Sequence, residues 1–577
     1  MVMALIPGSR SGSRWGPTLN DYLDLPEANL EFRRLSDEAT MRLAVEKLLY
    51  NSEAVTFDTL ETIMSTTHRP RMLGLLVDKN AIGGCMKLLE SYIGRDCSNG
   101  SLLEHAFGFQ ALHVLALVLQ AGLLGSYYFD GLPLNSTEGM EQTWDVKAPA
   151  MHAKFLAILS GLVFENTLRL NESDPRLLDY QIEWVQNSCG DERACLPAIG
   201  GFMYRNATFI LELLFKDRKM FLECCFRARA PGWSILMYMI QWMLDDRSHE
   251  AHKVPRLWQE YRDIIFRYCL VSGFKEDGLM EGLCCEYAKP HASIPVGKPT
   301  VVDFEDAQLI QLAFSRKHQP NNVETHRRSL TYGAALVRYV RDNLASYPSL
   351  QLAINEAIAE VIWDVLVCVG HDNRWEDIDW YMSISYGEFH QMLRQKDADL
   401  TSKVITIMHK YDLVGMFGRY VLLPSYLRKN HPDILNAALT TDPNTRPRGL
   451  TVISQMGRAL GLKFRHTEPP LLLNDYYPDW YKTLLFLQRE MGTYALGSYL
   501  HEVTAQSKTA WLELGKGLGF TEHLNPRSPA MRQVQQCVYA RCADPDGARF
   551  ETGESKRYCS VRCQAFSAGT NQYQFIL

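Results

Sequence analysis

The sequence predicts a mainly α protein: an irregular multi-helix body, armadillo-like in class, followed by a small C-terminal zinc-binding module. Three observations predict it. Apolar residues recur at helical spacing along most of the 577 residues. Series of short alternating runs joined by Asn-Gly or Asp-Gly turns, the mark of hairpins, are missing. Four of the 14 cysteines fall in two close pairs near the C-terminus, Cys537 with Cys542 and Cys559 with Cys563. The helices carry no fixed repeat period and no TPR, ankyrin or HEAT signature, so the armadillo likeness is one of class alone.

Composition sets the outer limits. With 46% hydrophobic and 22% charged residues the chain can bury a core, and its length exceeds the roughly 100–200 residues of one domain. A net charge of -6 with no basic stripe argues against nucleic acid as a general partner. The opening MVMALIPGSR breaks its short apolar run at Pro7, which is not the pattern of a secretory signal. A reducing intracellular location, cytoplasmic or nuclear, is therefore expected, with the scattered cysteines as buried thiols, including the adjacent pairs Cys224–Cys225 and Cys284–Cys285. In that setting the acceptor patterns at Asn99, Asn135, Asn171 and Asn206 stay unglycosylated.

Taken in order, residues 1–30 read as an N-terminal extension and 31–288 as a helical block. Ser36 reads as an N-cap, with Asp37 and Glu38 in the first turn and Met41, Val45, Leu48 and Leu49 as the apolar stripe. The stretch Leu102–Leu124 is the most apolar. Glu104, His105, Gln110, His113 and Gln120 interrupt it, so it reads as a buried core helix rather than a membrane span of about 20 mainly apolar residues. Further helical patterns cover 150–170, 207–228, 233–246 and 255–272. Three prolines between Lys289 and Val301 mark a linker at 289–301. A second helical block, 302–525, carries the stripes Leu330, Val337, Val340, Leu344 and Leu350, Ile354, Ile358, Val361, Val365, Cys368, and further patterns at 385–411 and 476–518. The glycines of GKGLGF, from Gly515 to Phe520, fit no phosphate-binding fingerprint and predict a helix end with a glycine cap. Pro526 and Pro529 then separate a module at 530–577.

That module reads CVYARCADPDGARFETGESKRYCSVRCQAF. Four residues lie within the first cysteine pair, three within the second and sixteen between them. A structural zinc takes four ligands in a tetrahedron, commonly two close pairs brought face to face by folding. Asp544, Pro545, Asp546 and Gly547 supply a turn after the first pair. Free thiols at this density would be open to oxidation. Cys537, Cys542, Cys559 and Cys563 are thus the candidate ligands of one structural zinc, and Arg541, Lys556, Arg557 and Arg562 would offset the charge of four thiolates.

The string RYCSVRCQ, Arg557 to Gln564, resembles the YCSxxCQ core of MYND-type zinc fingers. Such a finger is cross-braced: its first and third ligand pairs hold one zinc, and its second pair, with a later His and Cys, holds another. Cys537 and Cys542 match the first pair and Cys559 and Cys563 the third. Arg549–Arg557 has no cysteine, and SAGTNQYQFIL has neither His nor Cys, so the ligands of the second site are wholly absent. The pattern is similar to uncharacterised fungal proteins that carry a MYND finger after a long helical region. The resemblance implies protein interaction, commonly with a proline-rich peptide. Gln564 matches the family's peptide-contacting glutamine, whereas Ala568 stands where the family has a tryptophan.

Other clusters read as structural. Asp245, Asp246, His249 and His252 form a polar helix end, and His105 and His113 a hydrogen-bonded or partly buried pair. HExxH, GxSxG and the NHxC string of SET methyltransferases are all missing. The sequence thus favours a non-enzymatic, zinc-binding interaction scaffold or adaptor. The alternatives are an enzyme whose site lies in the helical body, with the finger as an accessory, and a nuclear regulator acting through protein contacts.

Overall fold

Helix dominates wherever the chain is described. The computed structural model describes residues 14–24, 37–68, 70–95, 101–125, 156–157, 159–163, 185–186, 193–228, 232–246, 255–288, 302–318, 329–367, 375–387, 389–394, 397–430, 447–465 and 476–520. The chain divides into two compact units, Met1–Ala313 and Phe314–Leu577.

The first unit begins with α1 (Leu19–Leu23), α2 (Glu38–Tyr50), α3 (Phe57–Met64), α4 (Ala81–Arg95) and α5 (Ala106–Gly125). α2 starts one residue later than the sequence suggests. Asp37, not Ser36, is the N-cap, and its carboxylate accepts the Thr40 amide at 2.8 Å. An ionised acceptor is the stronger partner for a helix N-terminus. Met41, Val45 and Leu48 are buried as expected. α5 is the predicted core helix: its length and composition would suit a membrane, but its whole apolar window is buried inside the unit. Gln110 is tolerated there because its amide donates to Tyr22 at 2.6 Å and to Glu61 at 2.7 Å.

A short antiparallel sheet follows, in the order β1 (Val185–Gln186), β2 (Arg193–Cys195), β3 (Phe202–Met203). The pattern over 207–228 resolves into two helices, α6 (Tyr204–Lys216) and α7 (Arg218–Ala228). They part at Asp217, whose carboxylate accepts Ser101 Oγ at 2.8 Å together with the amides of Leu102 and Leu103. Asn206 is a helix residue here, and its Oδ1 accepts the Met203 amide. α8 (Ser234–Asp246), α9 (Pro255–Cys269), α10 (Phe274–Ala288) and the start of α11 (Phe304–Lys317), which runs past the boundary at Ala313, complete the series. Trp233 sits fully buried at its centre, against the rings of Phe109, His113 and Phe221.

In the second unit, α12 (Leu330–Leu344) buries Leu330, Val337, Val340 and Leu344, the stripe the sequence predicts. In α13 (Pro348–Val367) the face is rotated: Ile354 and Ile358 are buried, but Leu350, Val361 and Val365 are half-buried while Ile362, Trp363 and Leu366 are inside. Trp363 explains the shift, since its indole N–H donates to the Tyr411 carbonyl at 2.7 Å and draws that side inward. α14 (Trp375–Tyr386) follows and ends just inside the pattern over 385–411, which otherwise breaks into α15 (Phe389–Arg394) and α16 (Ala398–Lys410), the last capped by Asp397. α17 (Leu413–Asn430) and α18 (Arg448–Lys463) follow, and the pattern over 476–518 breaks into α19 (Tyr477–Met491) and α20 (Tyr499–Gly517). α20 ends as predicted on glycine. Gly519 has φ +81°, its amide bonds Lys516 O, and Phe520 N bonds Gly515 O at 2.8 Å, the double closure of a left-handed helix end.

Candidate functional site

The predicted zinc ligands Cys537, Cys542, Cys559 and Cys563 lie outside the described residues, as do Gln564 and Ala568. His249 and His252 do too, whereas Asp245 is exposed at the end of α8. Among the described residues no group of three or more His, Cys, Asp or Glu is placed to hold a metal ion.

The two histidines of the apolar stretch do not form a pair. His105 Nδ1 meets Tyr92 Oη at 3.1 Å, and His113 Nδ1 meets the carbonyl of Phe109, one turn earlier, at 3.0 Å. Burial lowers His113 to a pKa of about 4, so its ring is neutral and packs edge-on against Trp233.

The densest chemistry in the first unit surrounds Glu276. Its Oε1 accepts Tyr268 Oη at 2.6 Å and the Ser234 amide at 3.1 Å, while Tyr268 Oη accepts the Trp233 amide at 2.7 Å. The carboxyl thus comes from α10 to serve the first turn of α8, 42 residues earlier in the chain. Burial raises Glu276 above the ordinary carboxyl range, and the bonds from Tyr268 and Ser234 only partly oppose it. Burial, then the neighbouring Cys224 thiol and Glu276, also raise Cys225. On the same helix pair, Cys269 of α9 and Cys284 of α10 bring their sulfurs to 3.1 Å, both fully buried.

The second unit repeats the device. α18 has Pro447 at its N-cap and no capping side chain of its own. Asp379 of α14 supplies the acceptor: Oδ1 takes the Gly449 amide at 2.8 Å and a bond from Tyr420 Oη, and Oδ2 takes the Arg448 amide at 2.9 Å. Position 449 admits only glycine at this approach, since a Cβ would lie 2.5 Å from Tyr420 Oη. Burial raises Asp379 as well. At the opposite pole, Arg341 donates to the carbonyl of Ile384 at 2.9 Å and to that of Ser385, at the C-terminal end of α14.

A buried carboxyl beside a tyrosine is an arrangement that acid–base chemistry also uses. Here both carboxyls accept main-chain N–H groups at a helix start, and those bonds oppose the effect of burial without overcoming it. Sequence reasoning missed Glu276 and Asp379. Glu276 looks like an ordinary acidic first turn, and nothing near Asp379 points to an amide 69 residues downstream. No family model matches this chain, and no curated protein and no solved structure matches it either.

Proposed function

We propose that the protein is a non-enzymatic interaction scaffold whose C-terminal module binds one structural zinc through Cys537, Cys542, Cys559 and Cys563. The paired spacing of these cysteines inside the YCSxxCQ-like string carries this reading. Four thiolate ligands leave no open position for water, so the metal stabilises the module rather than acting on a substrate. The partner is a protein, and a proline-rich peptide is the ligand class that the finger resemblance implies. Support from the body is that Glu276 and Asp379, the carboxyls that burial raises, are engaged at helix ends. Neither nucleic acid nor membrane is part of the proposal, and the expected location is the cytoplasm or nucleus.

Elemental analysis of the purified protein should find about one zinc per chain, falling when any of the four cysteines is replaced by serine. Two zinc ions would mean further ligands in the body, and none would overturn the metal site. The interaction half is tested separately, by affinity capture with the full chain and with a chain lacking 530–577. A partner set unchanged by the deletion would remove the module from the interaction.

A further inference from the structure

Cys269 ends α9, and Cys284 faces it from α10 across a sulfur–sulfur gap of 3.1 Å. A disulfide needs about 2.05 Å, so closing the bond asks for about 1 Å of movement. Both thiols are fully buried, which leaves the question of how an oxidant reaches them. α10 answers it. Its solvent side carries Gly278 and Gly282, and around Gly282 the space a Cβ would occupy is open. Glycine is the poorest helix former after proline, and here neither residue offers a side chain that packs. The two glycines lower the cost of opening α10 next to Cys284, but Leu279, Met280 and Leu283 are buried with it, so the open state is a minor one.

We propose that Cys269 and Cys284 are a redox modification site that small disulfides of the glutathione class oxidise reversibly, with opening of α10 as the gate. On opening, Cys284 ionises and its thiolate attacks one sulfur of the small disulfide, giving a mixed disulfide and one free thiolate. While α10 is still open, Cys269 loses its proton, attacks the Cys284 sulfur and releases the second thiolate, and α10 then closes over the new bond. Two protein thiols become one disulfide, the small disulfide becomes two thiols, and the two protein protons go to the released thiolates. The bond staples α9 to α10 and so fixes Glu276 against the start of α8. Transient, regulatory disulfides of this kind are the sort found in reducing compartments. The site is independent of the zinc module.

The full-length protein is incubated with oxidised glutathione, alkylated, and peptide-mapped by mass spectrometry. A Cys269–Cys284 cross-link is expected, reversed by dithiothreitol, lost in Cys284→Ala and retained in Cys285→Ser. Gly282→Ala, which fills open space and strengthens α10, should slow cross-linking about fivefold while leaving the far-ultraviolet spectrum unchanged. Cys269→Ala provides a second check if Cys284→Ala does not fold. Absence of the Cys269–Cys284 cross-link, or pairing of Cys269 with Cys285 instead, overturns the site. An unchanged rate in Gly282→Ala overturns the gate.

Discussion

His113 and Glu276 are buried ionisable side chains whose pKa values move in ways that both favour the neutral form, with opposite consequences for stability. The unfolded chain takes up a proton at His113 near pH 6.5, but the folded one only near 4. The stability this residue contributes is therefore complete above 6.5 and is lost as pH falls through about 4. The ring resonances of His113 should stay at their neutral positions until about pH 4, and titration near 6.5 would show that water reaches the site. Glu276 is the mirror case. Its folded value lies above 4.5, so its contribution is full below 4.5 and is lost as pH rises through the folded value. Glu276→Gln keeps an acceptor for Ser234 and Tyr268 but cannot ionise. Urea titrations over a pH series should show the variant gaining on the natural protein as pH rises. Parallel profiles would mean that the carboxyl is not perturbed.

At the scale of elements, the α18–α20 pair depends on backbone contact. A Cβ on Gly457 of α18 would lie 2.4 Å from the carbonyl oxygen of Glu513 in α20, and one on Gly517 would lie 2.0 Å from the carbonyl of Gly457. α19 and α20 are tied differently: each of Trp480 and Trp511 donates its indole N–H to the other's carbonyl, at 3.0 and 2.9 Å. Gly457→Ala should cost about 3 kcal/mol, because main chain must move to admit the methyl. Gly519→Ala, which only forces a side chain into the left-handed region, should cost about 1 kcal/mol. Chemical denaturation ranks the two, and equal costs would contradict the close crossing. These features also mark what the sequence could and could not reveal. Period-3.6 stripes identify the helices and, in α12, the buried face, because packing and propensity agree there. Breaks within 385–411 and 476–518 were missed because apolar spacing continues across them, although local signals mark them: Asp397 and Ser498 cap the helices that follow, and Gly497 has φ +77°. The glycine end of α20 was legible because the closure is local. The caps of α8 and α18 were not, because their acceptors come from distant helices. The four candidate zinc ligands lie outside the described residues, and their reading rests on their spacing and on the RYCSVRCQ string.

At the scale of the whole molecule, the first unit contains a fully buried guanidinium. Arg267 of α9 donates to Asp263 at 2.9 Å and, through both terminal nitrogens, to Asp306 of α11 at 2.6 and 2.8 Å. It also reaches the Arg218 carbonyl, so three helices share one charge network. Arg267→Met would leave the buried Asp306 without its guanidinium and Asp263 with the longer contact to Arg218 at 3.9 Å, and should cost about 3–5 kcal/mol. Hydrogen exchange should locate the damage in α7, α9 and α11. A loss below about 1 kcal/mol would mean that water enters and solvates the carboxylates.

The remote caps also impose an order on synthesis. Ser234 leaves the ribosome 42 residues before Glu276. At about 5–20 residues per second, the first turn of α8 waits roughly 2–8 s for its acceptor. Asp379 instead precedes Arg448 by 69 residues, so α18 emerges with its acceptor already made. Of the two helices, α8 is the one whose N-terminus passes through a stage exposed to chaperones and proteases, and slowing translation between codons 246 and 276 would lengthen that stage without changing a single residue.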